Sequence, residues 1–517
     1  MRYLVKRIPS TSLVQYDGSR YYCEIAGGTA EKSTVDTTGL LAGSKYLDVQ
    51  TGTWYVYDEL TNAWAVSAEG GSADPAVVEA AVEAWLDAHP EATTTVQDGS
   101  ISYAKLDSTL KGKADAVTSL SDEIDALDAA VNAIVSSSDL KPEDVAKIVQ
   151  GGGASKFFTL GDQIATTWQK GNSQLDLPLD IVAFHDIETQ GGETKKAMWL
   201  QSHWAVDAVQ FDASEAIYYC ETALPTGTYH FVIGTTWGSH CVKDKAYTFT
   251  TTQEIPAHGQ IVIGTNTGFY TWGAPDQSPA NWRVYTFADA TSITPIETLT
   301  LTEAANGTLL GTLSSATKYG NSGMNNLQRA GYGYNRWSQS AIRQWLNSDV
   351  PAGEWWTPQN VYDRPPQQLA TLPGFMAGLP DDIKAILKPI KVTTALNTVS
   401  DSEIGTTEDT YDIFFCSSLE QEYIVPQLAN AEGAYWPYWK ERLELDSPQA
   451  QGSAGTNANH IRYAIENHNS SQNVRFRSAS RTGTCNAWYL NSSGYAYSSR
   501  DHSAATAYRP APACVIY

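Results

Sequence analysis

Seven short apolar stretches, separated by about ten residues, recur between positions 157 and 310. They read IVAFHDI (181–187), AMWLQSHWAV (197–206), AIYYC (216–220), GTYHFVIG (227–234), AYTFTTT (246–252), GQIVIGT (259–265) and WRVYTF (282–287). Gly, Pro and Asn separate them, so no long helix fits there. Strands of this length, each closed by a turn, predict an antiparallel sandwich or barrel over 151–319.

The flanking patterns differ. Residues 1–68 also alternate, with RYYCEIA, KYLDVQTGTWYVYDE and AWAVSA reading as strands of a small β module. EGGSADP then acts as a linker, and Asp74 and Pro75 suit a helix start. Val78, Val82 and Trp85 follow at helical spacing, and His89-Pro90 ends the run. From Val117 the apolar residues fall at steps of three and four: Val117, Leu120, Ile124, Leu127, Val131 and Ile134. This is an a/d seam. It reads either as a helix packed on its own domain or as a short self-associating coiled coil, so 69–150 is expected to be a helical stalk. VQGGGASK (149–156) reads as a flexible joint.

After residue 320 the pattern becomes α+β. WSQSAIRQWLNSD carries Ser338 or Ser340 near a cap and puts Ile342, Trp345 and Leu346 on one face. LPDDIKAILKPI predicts a second short helix, with Pro380 and two Asp at its positive end. YDIFFCSS reads as a strand. The fold class expected is therefore multidomain and mainly β with an α+β part.

Charge and motifs exclude several functions. The net charge is −23 and the sequence pI about 4.7, which disfavours a phosphate backbone as partner, so no nucleic acid is expected. The six cysteines form no C-x-x-C pair, so neither a zinc site nor a disulfide framework is indicated, and synthesis in a reducing cytosol is the simpler reading. MRYLVKRIPSTSLVQ lacks a long apolar region, so no signal peptide is expected, and no run of about 18 apolar residues predicts membrane insertion. No G-x-S-x-G elbow, phosphate loop or H-E-x-x-H helix is present, and no enzyme activity or cofactor is expected. Cys220, His240 and Cys241 are read as structural. Glu408 and Asp409 would serve a glycosidase only if the fold set them across a cleft.

The C-terminus has its own vocabulary. Residues 473–517 contain no Lys, Glu, Gln or Met, and Arg475, Arg477, Arg481, Arg500 and Arg509 face only Asp501. Tyr, Ser and Asn dominate 486–508, as they do in antibody paratopes, where Tyr gives rigid amphipathic contact area. Strand alternation puts Trp488 and Leu490 on one face and Tyr489 and Asn491 on the other. It likewise sets Gly494, Ala496 and Ser498 against Tyr495, Tyr497, Ser499 and Asp501. The displayed set expected is Ser480, Thr482, Thr484, Asn486, Tyr489, Asn491, Tyr495, Tyr497, Ser499, Arg500, Asp501, His502 and Tyr508. A solvated loop without a partner and a fixed binding surface are both compatible with this composition. RPAPACVIY reads as a closing core strand.

Three stretches resemble known families. GYNRWSQSAIRQWLNSD, GFMAGLPDDIKAILKPIKVTT, TEDTYDIFFCSSLEQE, VRFRSAS, LNSSGY and AYRPAPACVIY, in this order across 320–517, resemble a widespread domain of unknown function found in bacterial surface proteins and phage adhesins. The fold of that domain is similar to a C-type lectin. Arg475 departs from the pattern, because the family has an aromatic residue before its Leu/Phe-Arg-Ser. VEAWLDAHPEATTTVQDGSISYAKLDSTLKGKADAV (82–117) resembles a phrase of gut-phage fibre, baseplate and head-fibre proteins, and GSKYLDVQTGTWYVYDELTNAW resembles small virion-associated modules. These resemblances imply a virion fibre or spike on head or tail, made in the host cytoplasm and carried on the virion surface. The N-terminus would attach to capsid or tail proteins, the chain would form a homo-oligomer (a trimer), and the lectin-like tip would bind a bacterial cell-surface receptor. Alternatives are a structural capsid decoration and a glycan-degrading spike. Some such tips are targets of diversity-generating retroelements, whose adenine-directed changes to AAC or AAT codons never yield Lys, Glu, Gln, Met or Trp. The composition of 473–517 fits that vocabulary with Trp488 as scaffold. The calcium–sugar motifs of animal C-type lectins are missing, so no metal is expected.

Overall fold

The computed structural model describes residues 3–9, 21–27, 29–35, 40, 42, 44–48, 51, 53–58, 60–66, 140–270, 278–315, 323–498 and 504–517. The chain divides into two compact units, Met1–Ala130 and Val131–Tyr517. The helix expected at 75–89 and the seam Val117, Leu120, Ile124, Leu127, Val131 and Ile134 lie outside the described residues.

In the first unit five strands form one sheet in chain order: Tyr3–Pro9, Tyr21–Gly27, Lys45–Asp48, Thr53–Asp58 and Ala63–Val66. Every neighbour is antiparallel except Tyr21–Gly27 with Lys45–Asp48. Leu40, Tyr46 and Tyr57 make a small core with Trp64 leaning on the two Tyr rings at 5.7 and 5.4 Å. The tight turn into the last strand uses Asp58, which accepts from Leu60 N at 3.0 Å and Thr61 Oγ1 at 2.8 Å.

The second unit is mainly β, and one large core spans most of its length. Its sheet runs Ala513–Ile516, Met198–Ser202, Leu179–Ala183 and Gln163–Ile164, all antiparallel. All of Leu179–Ala183 is buried, because both sheet faces are covered. Onto it pack the helix Pro142–Gln150 and the short helices Ala341–Leu346, Asp381–Ile386 and Pro437–Leu443. Ile342, Trp345 and Leu346 are buried as their spacing predicts, and Ser340 Oγ caps their helix by accepting from Arg343 N at 3.3 Å. The buried indoles place their N–H groups on fixed acceptors: Trp337 on Asp412 Oδ2 at 2.9 Å, Trp345 on Pro373 O at 2.9 Å and Trp439 on Gln201 Oε1 at 3.0 Å. Removing one such ring costs about 3–5 kcal/mol.

Two expected boundaries fall inside this core. The first was 150/151. Val145, Ala146, Val149 and Ala154 are all buried in the same cluster, and Gly152, at φ 74°, turns the chain between them. The Gly-rich stretch is therefore a tight packed corner, and the apolar residues on either side remove the freedom that its composition implied. The second was 319/320. Leu179–Ala183 and Met198–Ser202 belong to the sheet that Ala513–Ile516 closes, so residues from 140–211 and 337–516 share one core. YDIFFCSS is strand only at its first two residues; Phe415 then makes one isolated bridge to Ala513.

The sandwich-like part is an insertion, 217–324. One sheet orders Tyr218–Tyr219, Gln260–Thr265, Trp282–Phe287 and Glu297–Thr300; the other orders Thr302–Glu303, Ala246–Thr251, Gly227–Ile233 and Thr308–Leu313. Phe231, Ile233, Tyr247 and Phe249 of one sheet meet Ile261, Ile263, Trp282 and Val284 of the other in a second core. The two ends of the insertion are clamped. Tyr218 bridges Met324, Asn325 N donates to Ile217 O at 2.8 Å, and Asn325 Nδ2 donates to Ala216 O at 2.9 Å and to Glu215 Oε2 at 2.7 Å.

Candidate functional site

The Tyr- and Asn-rich segment is built on a three-stranded sheet. Ala487–Leu490 lies between Val474–Ala479 and Ala496–Tyr497. Register places Tyr489 opposite Arg475 on one side and opposite Tyr497 on the other. Asn491 organises the turn between the last two strands, accepting at Oδ1 from Ser493 N at 2.9 Å and Tyr495 N at 3.2 Å. Gly494 sits at φ 84° with Asn457 O only 2.0 Å from where a Cβ would be, so both conformation and space demand glycine.

An aromatic stack runs outward from this sheet. Its root is Arg475, fully buried, with the guanidinium 4.7 Å from the Tyr508 ring and donating to Ala487 O at 2.7 Å and Thr506 O at 3.0 Å. Burial pulls its pKa down to about 10. Tyr508 stacks on Tyr489 at 4.8 Å and 27°, Tyr497 stands edge-on to Tyr489 at 6.3 Å, and Tyr495 edge-on to Tyr497 at 6.2 Å. Burial pushes the Tyr489 hydroxyl well above its ordinary range. Tyr497 is 41% exposed and Tyr495 is half-buried. Arg475, which replaces the aromatic of the resembling family, thus holds the stack from beneath.

The residues expected to form one displayed face divide by burial. Thr482 and Tyr497 are exposed, and Asn486, Asn491, Tyr495 and Tyr508 are partly exposed. Ser480, Thr484 and Tyr489 are buried, which corrects the alternation reading. Both faces of Ala487–Leu490 are covered, so alternation does not there separate scaffold from surface. Thr484 Oγ1 is 3.1 Å from Gln328 Oε1, and Asn335 Nδ2 gathers the loop by donating to the carbonyls of Ser480, Gly483 and Asn486 at 3.1, 2.8 and 2.9 Å. Ser499, Arg500, Asp501 and His502 lie outside the described residues. The 480–486 loop and the 491–497 tyrosines therefore occupy opposite ends of one four-residue strand.

A groove of about 570 Å³ opens beside the loop, lined by Thr398, Val425, Pro426, Gln427, Ala450, Gln451, Arg481 and Thr482. Of these, the sequence reading singled out only Thr482 as a contact. Of the others, Arg481 is its chain neighbour, and the rest come from three separate segments that no local pattern joins.

The other polar and ionisable side chains are held by contacts within the chain. Glu408 pairs with Arg336 at 2.6 Å, while neighbouring Asp409 accepts from Thr393 Oγ1, as successive residues on opposite strand faces do. His460 is fully buried between Glu422 Oε2 at 2.8 Å and Gln449 Oε1 at 3.0 Å, and His468 stacks on Trp204 at 4.1 Å. Cys220 and Cys241 are buried in the insertion's core, and burial raises the Cys220 thiol to about 12. Among the described residues one set has ligand atoms close enough to share a metal: Asp212, Glu215 and Asp363, within 4.8 Å of one another and all buried. Arg329 clamps Glu215 through two bonds of 2.7 and 2.8 Å, neutralising one charge. Burial and the neighbouring carboxylates hold Asp212 and Asp363 well above the usual carboxylate range. Sequence reading missed this cluster because Asp363 is about 150 residues from the Asp212/Glu215 pair.

The sequence model of a domain of unknown function (DUF6273) matches residues 306–516. No curated protein and no solved structure matches the chain. No helix among the described residues is long and apolar enough to cross a membrane.

Proposed function

We propose that this chain is a bacteriophage fibre or spike subunit whose second unit folds like a C-type lectin and binds a bacterial surface receptor through its tyrosine-rich edge. The N-terminal sheet would attach to capsid or tail proteins, and the helical stalk expected within 69–150 would join copies into a trimer. The lectin-like reading draws support from the antiparallel pairing of Met198–Ser202 with Ala513–Ile516, the short helices and the small sheet carrying the variable-looking segment. The binding reading rests on one observation: Tyr495 and Tyr497 stand at the outer end of an aromatic stack fixed by buried Arg475. Rings held this way lose little entropy on contact, so they suit a hot spot. Repetition in an oligomer would multiply a weak single contact.

The test is binding of the full-length chain to susceptible host cells. Replacing Tyr495 and Tyr497 together by Ala is expected to weaken binding at least about tenfold, with an unchanged melting temperature. Unchanged binding would refute the tyrosine edge as the contact and favour a structural decoration. Sequencing residues 473–517 across a propagated population tests diversification separately, because variation is expected only at adenine-rich codons.

A further inference from the structure

The groove beside the 480–486 loop holds a cation that, among the described residues, has no partner of opposite charge. Arg481 is half-buried, and its Nη1 donates to Leu396 O at 3.0 Å and Thr406 O at 3.3 Å. Those two carbonyls anchor one end of the guanidinium, its Nε and Nη2 make no hydrogen bond among the described residues, and Arg481 lines the groove. Among the described residues Arg481 makes no ion pair. In a chain of net charge −23 carboxylates are plentiful, so an unpaired arginine anchored in a concave surface is a specific feature.

The rest of the groove has polar groups half used. Gln427 Oε1 accepts from Arg481 N at 2.7 Å, which leaves its amide N–H groups free to donate. Gln451 Nε2 donates to Val425 O at 2.7 Å, which leaves its Oε1 free to accept. Thr482 is exposed at the rim, and Val425, 43% exposed, and Pro426 add an apolar patch. A fixed guanidinium, one amide donor, one amide acceptor, a hydroxyl and an apolar patch match a pyranose ring that carries a carboxylate. In such a ligand the carboxylate would lie on the guanidinium, the ring hydroxyls would exchange bonds with the amides, and the C–H face would cover Val425 and Pro426.

We infer that this groove binds a carboxylate-bearing sugar residue of a surface glycan. The inference rests on the receptor-binding reading of this unit but assigns a site separate from the tyrosine edge. Saturation-transfer NMR on the full-length chain would use methyl glucuronide, neutral methyl glucoside and glucose 6-phosphate as probes. The glucuronide is expected to bind at least about tenfold tighter than the glucoside, the factor typical of one charge-assisted pair. Arg481→Gln is expected to abolish that preference, and Arg481→Lys to keep part of it. Gln451→Ala and Thr482→Ala, which leave the guanidinium anchored, are each expected to weaken the glucuronide about threefold or more, so the test stands even if Arg481→Gln unfolds. Equal binding of charged and neutral sugars, tighter binding of the phosphate, or glucuronide binding indifferent to the Gln451 and Thr482 changes would overturn the assignment. Because the tyrosine double variant leaves this groove intact, failure of one site is distinguishable from failure of the other.

Discussion

Asp212 and Asp363 keep protons that exposed carboxylates lose, first because burial penalises their charge and then because Glu215 is beside them. Their folded pKa values lie above the unfolded value near 4. The cluster's contribution to stability is therefore complete below about pH 4 and declines as pH rises toward the folded values. Asp212→Asn needs no shared proton, and its Oδ1 can still accept from Tyr334 N, now 3.0 Å from Asp212 Oδ2. Relative to the parent, the variant is expected to gain about 1 kcal/mol or more between pH 5 and pH 8. Urea titrations at the two values measure this, and a pH-independent difference would contradict the protonated cluster. The sequence places Asp212 and Glu215 three residues apart, but only the fold brings Asp363 to them, so the cluster was not legible there. Arg475 was legible as an oddity but not as the base of an aromatic stack.

At the scale of elements, strand identity was legible and strand surroundings were not. RYYCEIA, GTYHFVIG and GQIVIGT all form strands, because alternation and turn residues act locally. Alternation failed at Ala487–Leu490, since a strand covered on both sides buries both of its faces whatever their polarity. The turn that follows is governed by Gly494. Gly494→Ala is expected to cost about 2–3 kcal/mol, from a positive φ and from the nearby Asn457 carbonyl. Chemical denaturation would read that loss; a change under about 0.5 kcal/mol would mean that the turn relaxes freely.

For the whole molecule, the decisive contacts are long-range in sequence. Ala513–Ile516 closes a sheet begun more than three hundred residues earlier, beyond the reach of any local pattern. The matched family region, 306–516, omits the strands on which its last strand rests. A fragment of 306–517 is expected to remain without a cooperative unfolding transition, whereas 140–517 unfolds cooperatively. Circular dichroism melts of the two fragments check this, and a sharp transition in the shorter one would show that the long-range pairing is dispensable. The clamp at 215–218 and 324–325 has a mechanical meaning as well. A pull applied between the helix at 142–150 and a tethered tip crosses from Ile217 to Asn325 through adjacent hydrogen bonds. The eight strands of the insertion therefore lie off the load path. They form a folded loop that would extend only after the clamp breaks, a reserve of length for a chain pulled from both ends.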